Sequence, residues 1–133
     1  MNFELLIPLL ITSLTTILGW YILHKLTKNR ERENNKKELR IKYLIEAWTQ
    51  LEFASNRTLN GQQFIDHVEK PIASIQLFGT PKQIELAQQV AANMAKERQS
   101  NLDLILNDLR NDLRLELNLE KAKSEVKYIR FKN

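Results

Sequence analysis

Apolar residues crowd the first two dozen positions and then return at helical spacing through most of the chain. From Leu5 to Leu23 the stretch "LLIPLLITSLTTILGWYIL" runs nineteen residues without Asp, Glu, Lys or Arg. As a helix it would span roughly 28 Å, close to the hydrocarbon thickness of about 30 Å. Thr12, Ser13, Thr15 and Thr16 lower its hydropathy, but their hydroxyls can bond to the carbonyl one turn back, and Pro8 lies near the end where a helix tolerates it. A cleavable signal peptide would carry Lys or Arg before the apolar run and small residues after it; here Glu4 precedes and Trp20, Tyr21 and Ile22 follow. A helix on the surface of a soluble fold would show a continuous polar stripe, and this segment has none. The segment therefore reads as a membrane anchor.

Beyond the charged neck "KNRERENNKKE", the spacing of Ile41, Leu44, Ile45, Trp48 and Leu51, with Ala47 and Ala54 beside them, predicts an amphipathic helix over 33–56. The neck is rich in good helix formers, so this helix can continue the membrane span, with Asn29, Asn34 and Asn35 as the points where it could break. Asn60-Gly61 signals a turn. Phe64, Ile65, Val68, Ile72, Ile75 and Phe78 again have helical spacing. Pro71 falls among them, which fits either a kinked helix or an extended lead into a helix starting near Pro71.

In "LFGTPKQIELAQQVA" the residues describe a tight corner between two helices. Gly79 is expected in the left-handed conformation that closes one helix, while Thr80, Pro81 and Gln83 form a capped start with a capping box for the next. That helix would bury Ile84, Ala87, Val90, Ala91 and Met94. "KERQSN" is either a connection capped by Ser100 or Asn101 or a polar stretch of one longer helix. A last helix is predicted over 102–118, with Leu102, Ile105, Leu106, Leu109, Leu113 and Leu117 on one side.

The tail "SEVKYIRFKN" fits a strand by residue type at Val126, Tyr128, Ile129 and Phe131. It also fits a continuing helix through Leu119, Ala122, Val126 and Ile129. The extended form is favoured, and a lone strand must then pair with another molecule or lie flat on the helices. The expected fold is all-α: an N-terminal transmembrane helix, a small cytoplasmic four-helix domain and a short extended C-terminal tail. Its divisions are an anchor over 1–24, a basic juxtamembrane neck over 25–38, the helical domain over 39–119 and a basic tail over 120–133.

Charge orients the anchor. Residues 25–45 hold eight Lys or Arg against three Glu, and no Lys or Arg precedes the span. Since positive flanks stay in the cytoplasm, the C-terminal domain is expected there and the N-terminus outside. Trp20 and Tyr21 sit where interfacial aromatics belong, and with Lys25, Lys28, Arg30 and Arg32 they form the candidate membrane-surface set. The middle of the chain, 46–120, has seven basic and eleven acidic residues, and 121–133 has five basic and one acidic. Basic ends around an acidic middle suit an anionic membrane surface or an acidic partner better than nucleic acid; alternatively the juxtamembrane cations only set topology. Absence of cysteine excludes disulfides and thiol chemistry.

Few motifs carry chemistry. His67 lies between Asp66 and Glu69, but the other histidine, His24, falls at the expected membrane interface, so a solvated surface histidine is the better reading. No catalytic, cofactor-binding or metal-ligating set emerges. The patterned stretch is "LILNDLRNDLRLELNLE", where Leu109, Leu113 and Leu117 form a stripe with Asp108, Asp112 and Glu116 on one flank and Arg110 and Arg114 on the other. An apolar seam between opposite charges is how a helix selects a partner helix, so these eight residues form the candidate partner-binding set; the alternative is core leucines with solvated charges.

"IASIQLFGTPKQIELAQ" followed by "LDLILNDLRNDLRLEL" resembles a family of small uncharacterised bacterial proteins with one N-terminal membrane segment and a helical cytoplasmic domain. The resemblance covers roughly 39–119 and implies a bacterial inner-membrane setting, without assigning any functional residue. The expected role is a membrane-anchored, single-pass, helical module for protein interaction or assembly, its partners being membrane lipid and another protein or a second copy. The competing expectations are a membrane-associated enzyme or effector and a signalling or defence component.

Overall fold

The computed structural model describes residues 2–57, 59 and 61–129. Its elements are four helices in the order α1 (Phe3–Asn56), α2 (Gly61–Phe78), α3 (Pro81–Glu97) and α4 (Asp103–Glu116), and the described residues contain no strand. The chain divides into a first unit, Met1–Glu38, and a second, Leu39–Asn133.

Within the first unit, α1 carries one stretch long and apolar enough to cross a membrane, and none of that stretch is buried. Its hydroxyls bond back as expected: Thr12 to the Pro8 carbonyl at 2.7 Å, Ser13 to Leu9 at 2.8 Å and Thr16 to Thr12 at 2.8 Å. Each hydroxyl thus meets its hydrogen-bonding need within the helix. Asn29, Asn34 and Asn35 do not break α1, since each costs only about 0.7 kcal/mol against Ala and their Lys, Arg and Glu neighbours favour the helix.

The second unit is an up-down bundle formed by the C-terminal part of α1 with α2, α3 and α4. Tyr43 stacks on Phe78 at 5.0 Å and Phe53 tilts against His67 at 5.2 Å, so α1 and α2 run antiparallel. Arg40 reaches Asp112 while Trp48 donates its indole N–H to the Leu106 carbonyl at 3.1 Å, which makes α1 and α4 antiparallel as well. The core joins Leu44, Ala47 and Leu51 of α1 to Val68, Ile72 and Ile75 of α2, Ala87 and Val90 of α3, and Leu102, Ile105, Leu106, Leu109 and Leu113 in and before α4. Burying each Leu or Ile stabilises the fold by about 1.5–3 kcal/mol, whereas an exposed ion pair such as Glu46–Lys70, at 3.6 Å, adds at most about 1 kcal/mol. The apolar pattern therefore decides the fold, although Ile45 and Ala91, expected in the core, lie outside it.

Local signals behave unevenly. Thr80 caps α3 with Pro81 in its first turn, and the capping box is present: the Thr80 N–H donates to Gln83 Oε1 at 2.9 Å and the Gln83 N–H donates to Thr80 Oγ1 at 3.3 Å. Pro71 lies inside a continuous α2, buried, in place of an extended lead. The segment after α3 is a connection: Arg98 takes a left-handed φ of 56°, and Asn101 Oδ1 accepts the Asp103 N–H at 2.8 Å. The Asn60-Gly61 turn falls partly on Asn60, outside the described residues, and Gly61 opens α2.

Gly79 corrects an expectation. It is not left-handed, since no described glycine has positive φ. Glycine is required there for space: a Cβ would lie 2.6 Å from the Ile75 carbonyl oxygen and 3.1 Å from Gln83 Cβ.

The end of α4 is a Schellman turn. Leu119 N–H bonds to the Arg114 carbonyl at 2.7 Å and Asn118 N–H to the Leu115 carbonyl at 3.0 Å, with Asn118 at φ 58°. The described tail beyond it is neither helix nor strand, with bends at Lys123 and Ser124. Phe131, part of the expected strand, lies outside the described residues.

Candidate functional site

Helix α4 is where the patterned residues converge, and its central eight, "NDLRNDLR" from Asn107 to Arg114, repeat a four-residue unit. Since four residues make slightly more than one turn, each letter of the unit keeps to its own side of the helix. The structure gives each side a different neighbour.

The leucines point inward. Leu109 is fully buried and Leu113 is 7% exposed, both in the core shared with α1, α2 and α3. Leu117, the expected third member of the seam, follows the end of α4 and is 52% exposed. The seam's facing helices thus belong to the same chain.

The acidic flank faces cations and amides of the bundle. Asp108 pairs with Lys82 at 3.1 Å. Asp112 Oδ2 accepts from both Arg40 Nη2 and Gln83 Nε2, each at 2.9 Å, and Glu116 accepts from Arg40 Nη1 at 3.3 Å. Arg40 also donates through Nε to the Phe78 carbonyl at 2.9 Å, placing its charge at the C-terminus of α2, where the helix dipole favours a cation. One guanidinium therefore ties together α1, α2 and α4. Gln83, fully buried, adds α3 to the same node while also closing the capping box. In the sequence Arg40 counts only among the eight cations of residues 25–45; its place on the α1 face shared with Leu44 and Ala47 is the sole sequence signal for this role.

The basic flank and the asparagines grip the tail. Arg114 Nε donates to the Glu120 carbonyl at 2.7 Å; the Ala122 N–H donates to Asn111 Oδ1 at 3.0 Å; Arg110 donates to the Ser124 carbonyl; the Val126 N–H donates to Asn107 Oδ1 at 2.9 Å; and the Tyr128 hydroxyl donates to Asp103 at 2.9 Å. Arg110 also donates to Asn107 Oδ1 at 3.3 Å. From Arg114 to Asn107 donors and acceptors thus alternate along one stripe of α4, and every second residue of the tail from Glu120 to Tyr128 is held. From Asp103 to Arg114 the helix advances only about 16 Å, whereas eight fully extended residues would reach about 26 Å. The tail accordingly crosses α4 in a contracted path and is no extended strand. The asparagines were missed because a helical Asn is ordinarily neutral; their four-residue recurrence beside the arginines was the available clue.

Exchanging both Arg110 and Arg114 for Glu should free the tail while leaving the core in place. We expect a stability change of no more than about 1 kcal/mol, because these contacts lie at the surface, together with markedly faster cleavage by a lysine-specific protease at Lys121, Lys123 and Lys127. Unchanged cleavage would show that the clamp does not hold the tail.

The candidate membrane-surface residues Trp20, Tyr21, Lys25, Lys28, Arg30 and Arg32 are all exposed on α1, where Trp20 stacks on His24 at 5.5 Å. His67 is exposed on α2. A groove of about 340 Å³ between α2 and α3 is lined by Ile65, Val68, Ile72, Ala73, Ala91 and Met94, among others. Among the described residues, no group of three or more His, Asp or Glu is placed to hold a metal ion. No family model, curated protein or solved structure matches the chain.

Proposed function

We propose that the protein is a single-pass membrane protein of a bacterial inner membrane, whose cytoplasmic helical unit serves as an interaction or assembly module. The observation that carries the anchoring is the apolar stretch of α1, none of which is covered by the rest of the chain. Leaving so much apolar surface in water would be unfavourable at about 25 cal/mol per Å², and a bilayer is the solvent that fits it. The cations that follow, from Lys25 to Arg32, favour a cytoplasmic position for what comes after them.

The assembly reading is supported by the outer surface of the bundle. Leu115, Leu117 and Leu119 are each about half exposed within five consecutive residues, and the α2–α3 groove offers further apolar surface. Exposed apolar side chains of this kind favour association with another protein surface.

Reporter fusions after Asn133 test the topology. A cytoplasmic reporter is expected to be active there and a periplasmic one inactive, and the protein should stay in the membrane fraction through an alkaline wash. Release by the wash would reject the anchor, and periplasmic activity would reverse the orientation. For assembly, the mass of the full chain in mild detergent should correspond to a defined oligomer; a monomer there and in membranes would reject the assembly reading.

A further inference from the structure

Resting on the assembly reading, we propose that the α4 stripe is a peptide-binding site whose second occupant is the tail of another copy of this chain. Two copies would exchange residues 119–129, each laying its tail on the α4 of the other.

The stripe is built to hold a main chain. Four of its five contacts go to backbone groups of the tail: the carbonyls of Glu120 and Ser124 and the amides of Ala122 and Val126. These groups are the same in every copy, so a tail arriving from a neighbour would satisfy Arg114, Asn111, Arg110 and Asn107 as well as the chain's own. Val126 and Tyr128, half-buried against the core, would take the same seats.

Closure within one chain rests on a few surface contacts. Hydrogen bonds of this kind each add little net stability, and ordering the tail offsets much of their sum. Arg110 Nε is buried with no acceptor among the described residues. The segment that must open is short: Leu117, left-handed Asn118 and Leu119 form the turn, and all three are exposed.

Exchange would conserve the five contacts between the tail and α4, give up the two turn bonds of the hinge, and add a contact between the hinges. Swapping an identical element between two copies forms a closed, two-fold pair without requiring a new recognition surface. In such a pair the two hinges approach each other, bringing together the half-exposed Leu115, Leu117 and Leu119 of both copies. That apolar burial is what the closed monomer lacks, and anchoring both copies in one membrane raises the effective concentration of one tail for the other's helix.

The cysteine-free chain allows a clean test. One full-length copy carries Asn107→Cys and a second carries Val126→Cys; the two are co-expressed in membranes and treated with a short thiol-specific cross-linker. A third chain carries both substitutions, and a control pair places Gln89→Cys, on the exposed side of α3, against Val126→Cys. Exchange predicts a covalent dimer from the first pair severalfold above the control pair. It also predicts that the doubly substituted chain forms within-chain and between-chain links at the same positions.

If the doubly substituted chain closes only on itself, and the pair gives no dimer above control while the detergent mass still shows an oligomer, exchange is overturned and the assembly reading stands. A monomeric mass without cross-linked dimer overturns both. Absence of any link in the doubly substituted chain overturns the tail site itself.

Discussion

Replacing Arg40 with methionine is expected to lower the stability of the helical unit by about 2–3 kcal/mol. Methionine keeps the aliphatic bulk and removes the charge. Asp112 and Glu116, at 21% and 27% side-chain exposure, would then face each other without the cation that separates them, and the Phe78 carbonyl would lose its donor. The Arg40 side chain is itself only 24% exposed, so water does not replace it fully. Urea unfolding followed by Trp48 fluorescence measures this directly, with Trp20→Phe as the background because the chain has two tryptophans. Lys36→Met is the matched control: Lys36 pairs with Glu33 at 3.7 Å on an exposed surface and should change stability by less than about 0.5 kcal/mol. Equal effects from the two substitutions would show that the Arg40 node is no more than a surface pair.

The second large effect is expected at the corner between α2 and α3. Gly79→Val should cost about 2–3 kcal/mol, because the new Cβ would press on a backbone carbonyl, Ile75 at 2.6 Å, and on the stem of buried Gln83. A carbonyl of the last α2 turn cannot swing aside as a flexible side chain would. Gly79→Asn separates this cause from a left-handed backbone. Asparagine tolerates positive φ, so a left-handed requirement would spare it, whereas a lack of space penalises it as much as alanine or more. Near-native stability of Gly79→Asn in the same unfolding measurement would reject the steric account.

These two positions mark what could be read from the chain and what could not. The helices announce themselves by spacing, and the start of α3 was legible because Thr80, Pro81 and Gln83 act on one another across a single turn. The place of Gly79 was legible but its reason was not: a sequence shows that a glycine stands at a corner, not which carbonyl its missing Cβ would strike. Arg40 was hidden for a different cause. Its partners lie 38, 72 and 76 residues away, and only its place on the face of Leu44 and Ala47 distinguishes it from the solvated cations of the neck. The charged flanks of α4 stand out in the sequence as four-residue repeats, yet periodicity carries no information on which neighbour each flank meets. The acidic flank found α1 and α3; the basic flank found the chain's own tail.

The tandem "NDLR" of α4 also determines what changes of length that helix can absorb. Each residue turns the helix by about 100°, so inserting or deleting a whole four-residue unit displaces the downstream side chains by about 40°. Leucines would still face the core and arginines the tail. A single inserted residue instead rotates everything beyond it by a quarter turn or more, bringing an aspartate to the place of Leu109 and a leucine to the place of Arg110. An unpaired carboxylate in that fully buried position is among the least tolerated changes a small core can suffer. Helix α4 thus absorbs a change of one four-residue unit far more readily than a change of one residue.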